Sequence, residues 1–189
     1  YAGPVIDETL LEAIDKMAKA VEHTGGQFST VRTGRAAPVL VERILVDYYG
    51  TEVPLQQLAG FSVPEARLLI VKPHDRNAMG AIEKAIRDSD LGMNPANDGQ
   101  VIRLAFPPLT EERRKEYVKV VKHHAEEGRI AVRNVRRDAR KHLESAEKES
   151  RISANELERA ERELEKITHD HIEEIDRALA KKEHELLEV

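Results

Sequence analysis

Between residues 129 and 141 stand Arg129, Arg133, Arg136, Arg137, Arg140 and Lys141, six bases against one acid, Asp138. On a helix, at 100° per residue, Arg129, Arg133, Arg136 and Arg140 fall within about 60° of one another, with Arg137 at the edge of that face. Lys115, Lys119 and Lys122 extend it toward the start of the segment. A guanidinium is a rigid planar fork that matches phosphate oxygens better than an ammonium does. Aromatic residues make up only 4% of the chain and Trp is absent. Such a face reads backbone shape and phosphate, not bases. The competing reading is plain charge pairing. Residues 142–189 hold fifteen acids against eight Lys and Arg, and exposed ion pairs are common and weak.

Other chemistries find no support in the residue pattern. Gly34 and Gly50 lack the context of a phosphate-cradling loop. His123 and His124 are adjacent and diverge on a helix, as do His169 and His171, so no metal site is expected. Ser62, Ser89 and Ser153 have no base or elbow context. The acids of the last segment read as a solvated face. The absence of Cys removes disulfides, thiolate ligands and thiol catalysis. The chain is therefore expected to bind rather than catalyse, with no cofactor.

The arginines need a long, straight support. Residues 107–108 are Pro-Pro, and Thr110-Glu111-Glu112 then reads as a capping hydroxyl with two first-turn acids. The helix this begins runs without Pro to about 148. Val121, Ala125, Gly128, Val132, Val135, Ala139 and Leu143 form its predicted buried stripe. Ser153-Ala154-Asn155-Glu156 fits a capping box that starts a second long helix to about 187. Its stripe is Leu157, Ala160, Leu164, Ile167, His171, Ile175 and Leu179. A first amphipathic helix is predicted over roughly 7–32, capped by Asp7. Leu10, Leu11, Ile14, Met17, Ala18, Val21 and Phe28 form its stripe, and Gly25–Gly26 is carried through by packing. No one of these helices buries its stripe alone, so the three should form a bundle.

Between the first two helices the period changes to two. Residues 44–49 alternate, Tyr49-Gly50-Thr51 marks a turn, and 58–63 and 68–71 are further apolar runs. Residues 77–89 return to helical spacing. Turns at Asn94-Pro95 and Asn97-Asp98-Gly99 precede a last strand ending at Phe106. The chain leaves the bundle near Gly34 and returns near Pro107–Pro108, two neighbouring connections that together would make a hinge.

The composition suits this plan: 34% charged, 40% hydrophobic and a net charge of −5. No apolar run approaches the roughly 20 residues a bilayer span needs, and Tyr1 to Pro4 lacks a basic-then-apolar leader. The expected location is the cytoplasm, with no membrane partner.

Several stretches together resemble the bacterial ribosome recycling factors. They are V-R-T-G-R-A-A-P at 31–38, V-D-Y-Y-G-T at 46–51, P-L-Q-Q-L-A at 54–59 and E-K-A-I-R-D-S-D-L-G-M-N-P at 83–95. P-P-L-T-E-E-R-R-K at 107–115, V-R-N-V-R-R-D-A-R at 132–140 and K-K-E-H-E-L-L-E-V at 181–189 complete the set. The resemblance implies an α+β, L-shaped, two-domain monomer. An antiparallel three-helix bundle (1–34 and 108–189) would carry an inserted small β/α/β domain (35–107). It implies a factor that, with elongation factor G and GTP, splits the post-termination ribosome into subunits, itself binding no nucleotide. Large-subunit ribosomal RNA would meet Arg129, Arg133, Arg136, Arg137 and Arg140, with Arg136 matching the family's key arginine. Arg32, Thr33, Gly34, Arg35, Pro107 and Pro108 would form the hinge. Gly25–Gly26 and Tyr1 to Pro4 depart from the family pattern. The alternative from another class is a helical adaptor module without an RNA partner.

Overall fold

A computed structural model describes residues 3–188. Tyr1 and Ala2 of the N-terminal stretch, and Val189 at the end of the 181–189 segment, lie outside the described residues. The chain forms two compact units, one of residues 3–31 with Glu112–Glu188, the other Arg32–Glu111.

The first unit holds three helices: α1 (Gly3–Ser29), α4 (Glu111–Lys148) and α5 (Ala154–Leu187). α1 begins four residues before the expected start, so Asp7 lies inside the helix and does not cap it. Pro4 explains the difference, because a helix's first turn has no use for the amide hydrogen that proline lacks. Gly25 and Gly26 do not interrupt the helix. α4 spans 38 residues, about 57 Å at 1.5 Å per residue. α5 starts at the capping box: Ser153 Oγ accepts from Glu156 N–H at 3.1 Å, and Ser153 N–H donates to Glu156 Oε1 at 3.0 Å.

Both neighbours of α4 run antiparallel to it. Val5 and Ile6 pack on Ala146, Ile152 and Leu157 at one end, while farther along Thr24 and Ile175 close on Gly128. The buried stripe of α4 is Val121, Ala125, Gly128, Val132, Ala139, Leu143 and Ala146, with the expected Val135 only half-buried. On α5, Ala160, Leu164, Ile167 and Ile175 are buried as expected, while Leu157, His171 and Leu179 stay half-buried. α1 departs most from expectation. Ala13, Met17, Thr24 and Phe28 face the core, whereas Leu11 is 64% exposed and Ile14 and Ala18 also face outward. Two apolar stripes side by side on one helix leave its period unable to say which is buried.

The second unit is a pair of antiparallel sheets with helices between strands, and its fold class is α+β. β1 (Leu45–Tyr48) and β2 (Thr51–Pro54) form a hairpin. Its two-residue turn places Tyr49 and Gly50 at φ 52° and 81°, the left-handed pair that a tight hairpin turn requires. A short helix α2 (Leu55–Leu58), not expected from the sequence, leads into β3 (Ala59–Glu65), followed by β4 (Leu68–Pro73), helix α3 (Met79–Arg87), β5 (Ala96–Asn97) and β6 (Ile102–Ala105). The four-stranded sheet has the order β3-β4-β6-β5. Pro64 sits where the β3–β4 register slips, between Ser62 and Glu65. An edge strand tolerates a residue with no hydrogen to donate. Val46, Leu55, Leu69, Val71, Ile82, Ile86, Ile102 and Leu104 form a fully buried core.

Candidate nucleic-acid interface

The continuity of α4 fixes the arginines. No Pro and a single Gly lie within it, so their spacing is set by helix geometry alone. The buried stripe turns one side inward and leaves the arginine face at the α5 edge of the bundle.

The structure brings these arginines to the acids of α5. Arg129 directs its fork at Asp176, with Nε and Nη2 each 2.8 Å from Oδ1, and its Nη1 meets Glu126 at 3.0 Å. Arg136 lies 3.6 Å from Glu165, and Arg140 lies 3.6 Å from Glu161 and 3.1 Å from Glu144. Among the described residues Arg133 reaches only Glu126, on its own helix, at 3.4 Å. Arg137 is exposed and forms no ion pair among the described residues. The four ion-paired arginine side chains range from 21% exposed at Arg129 to 55% at Arg140. Ion pairs of this exposure contribute about 0–1 kcal/mol each and are screened by salt. Pairing with the acidic helix thus holds for Arg129, Arg136 and Arg140 individually, through weak ion pairs. Sequence reasoning noticed the acidity of the last segment but missed these particular partners. Their signal was the antiparallel register, in which the partner's number falls as the arginine's rises.

The expected hinge residues gather at the edge of the second unit. Arg32 places its guanidinium 5.9 Å from the centre of the Phe106 ring, within range of a cation–π contact. Thr33 is buried, and its Oγ1 accepts from Arg35 N–H at 3.4 Å. Gly34 has φ +68°, and a side chain there would meet Leu109 N at 3.6 Å and Pro108 Cα at 3.9 Å. The outgoing and returning chain segments therefore run side by side. Pro107 and Pro108 are exposed.

His123, His169 and His171 each have a local partner, whereas His124 Nδ1 is buried with no hydrogen-bond partner among the described residues. His123 lies 2.6 Å from Glu127 and His169 lies 3.7 Å from Glu173. His171 Nδ1 bonds the Ile167 carbonyl at 2.7 Å. Among the described residues no group of three or more His, Cys, Asp or Glu could hold a metal ion. A groove of about 350 Å³ between α1 and α4 is lined by Thr9, Glu12, Lys16, Asp138 and His142, among others. The Lys16–Glu12 pair at 2.9 Å already accounts for two of its charges. No described helix is long and apolar enough to cross a membrane.

Comparison with known proteins gives these features a context. Residues 25–187 match the family model for ribosome recycling factor. The chain is 52% identical over 185 residues to the ribosome-recycling factor of Acidothermus cellulolyticus and 55% identical to that of Saccharopolyspora erythraea. Each match covers 98% of this chain and all of the relative. A solution structure of the ribosome recycling factor is 43% identical with a TM-score of 0.74, covering 97% of this chain and 98% of that one. A second solved structure contains models of the T. thermophilus ribosome recycling factor and the E. coli elongation factor G bound to the E. coli post-termination complex. It is 46% identical with a TM-score of 0.67, covering 97% of this chain and 99% of that one.

Proposed function

The chain belongs to the ribosome recycling factor family, and on that footing we propose that it grips the post-termination ribosome through the arginine face of α4. Its function is ribosome recycling. Family membership decides against a helical adaptor without an RNA partner. In our reading the RNA of the large subunit meets Arg129, Arg133, Arg136, Arg137 and Arg140. The observation that carries it is one uninterrupted helix presenting five arginines, one with no ion pair among the described residues and the others in weak, at least partly exposed ones.

A rigid bundle and a pliant connection divide the work. The bundle holds fixed spacing against phosphates. The paired segments at Arg32–Arg35 and Pro107–Pro108 form the hinge about which residues 35–107 turn relative to the bundle. Elongation factor G drives that motion and its GTP hydrolysis supplies the energy. The chain itself contributes binding and leverage rather than catalysis, as a monomer in the cytoplasm.

Arg136→Ala tests the grip. Co-sedimentation with purified large subunits across a salt series should show weaker binding and a log–log salt slope reduced by about one phosphate contact. Wild-type affinity with an unchanged slope would remove Arg136 from the interface. A cross-link closing the hinge should leave subunit binding intact and abolish splitting; persistent splitting would refute the hinge.

A further inference from the structure

Three of the five arginines that face RNA in the preceding reading, Arg129, Arg136 and Arg140, are held by acids of the neighbouring helix. We propose that Glu161, Glu165 and Asp176 of α5 are specificity-determining residues of this interface: they occupy Arg140, Arg136 and Arg129, so that RNA offering several phosphates in register displaces them and a loose strand does not. The proposal rests on the RNA-binding reading of α4 and concerns what that face rejects.

Three features support it. First, the pairs are distributed along the face. Arg129–Asp176, Arg136–Glu165 and Arg140–Glu161 join the two helices at separate levels. A polyanion laid along α4 must therefore approach a carboxylate at each level it uses. Second, the pairs are exposed and salt-screened, so displacing one is easy but still offsets the gain from a single new phosphate contact. A flexible strand must also be ordered for each contact it makes. A folded RNA surface is already ordered and presents its phosphates together, so its contacts accumulate. Third, Arg137 is exposed and without an ion pair among the described residues. It provides a first contact for either kind of RNA without favouring one. Like charges opposing a wrong partner are a recognised source of selectivity.

The neutral isosteric variant Glu161→Gln/Glu165→Gln/Asp176→Asn tests this in the full chain. Affinities are measured for polyuridine, as the loose strand, and for purified large subunits at the same salt concentrations. Polyuridine binding should tighten by roughly tenfold and subunit binding by about threefold or less, narrowing the ratio between them. Circular dichroism and the melting midpoint establish that the bundle is intact, and Glu165→Gln alone should narrow the ratio in the same direction. An unchanged ratio, or weaker binding to both, would overturn the proposal; weaker binding would mean the acids only align the arginines. Arg136→Ala and Arg137→Ala in the same assay separate the two ideas. If both bind subunits as wild type does, the RNA reading itself fails. If they weaken binding while the neutral variant leaves the ratio unchanged, only the role of the α5 acids fails.

Discussion

Gly128→Ala adds one methyl group where side chains of both other helices, Thr24 of α1 and Ile175 of α5, lie against α4. A Cβ there would collide with Thr24 Oγ1 and stand 3.2 Å from both Thr24 Cβ and Ile175 Cδ1. Thr24 has little freedom to yield. It is buried, and its hydroxyl donates to the Ala20 carbonyl at 2.9 Å. Three terms set the outcome. Helix propensity favours Ala over Gly by ~0.8–1 kcal/mol. Overpacking a filled core costs ~1–3 kcal/mol. Turning Thr24 away loses a hydrogen bond worth ~0.5–1.5 kcal/mol. The net expectation is destabilisation of about 1–3 kcal/mol. Gly25→Ala and Gly26→Ala provide the control, because a Cβ at either meets nothing within 4 Å. Only the propensity term acts there, so each should stabilise by ~0.5–1 kcal/mol. Urea unfolding followed by helical circular dichroism reads all three variants, with the dependence on urea unchanged. If Gly128→Ala were neutral or stabilising, the close approach would be wrong, and with it the account of how the bundle is pinned.

Other expectations follow from local geometry. Ser153→Ala removes the hydroxyl that caps α5 and should lower stability by ~1 kcal/mol in the same urea assay. The Ser153 backbone N–H and the Ser153 hydroxyl hold the Glu156 carboxyl below its ordinary range. A lowered folded-state value means the charged form contributes stability near neutral pH, and that contribution is lost as pH falls through the lowered value. The stability gap between wild type and Glu156→Gln should therefore be present at neutral pH and shrink on acidification; a gap independent of pH would refute this. Gly34→Ala forces a side chain into the left-handed region and should cost ~1–2 kcal/mol, read as a lower melting midpoint.

What the sequence made legible was mostly local. The capping box needs only Ser153 and Glu156, three residues apart, and the hairpin turn needs only Tyr49-Gly50 between alternating strands. The long helices showed in their period because each is half-exposed. Contacts between distant residues did not show in the same way. Arg129 and Asp176 meet across 47 residues of chain, and no pattern within either helix reports that meeting. Leu11 and Ile14 match helical spacing as well as Met17 does, yet only packing decides that Met17 is buried. Thr24 is buried because Gly128 faces it, which neither residue indicates alone. The arginine face was legible as a face, while its partners depended on the tertiary register.

The interrupted bundle also sets the order in which the chain acquires structure during synthesis. α1 is made before the second unit, and its packing partners on α4 and α5 emerge only after the whole of that unit. That unit is contiguous in sequence and completes its sheets while the bundle is still one unpartnered helix, as domains generally fold in turn. During that interval Met17 and Phe28 have no cover. The Glu12–Lys16 and Asp15–Lys19 pairs, each one helical turn apart, support the waiting helix without help from distant residues. The charged flank of α1 thus favours the helix in the nascent segment before its partners on α4 and α5 are made.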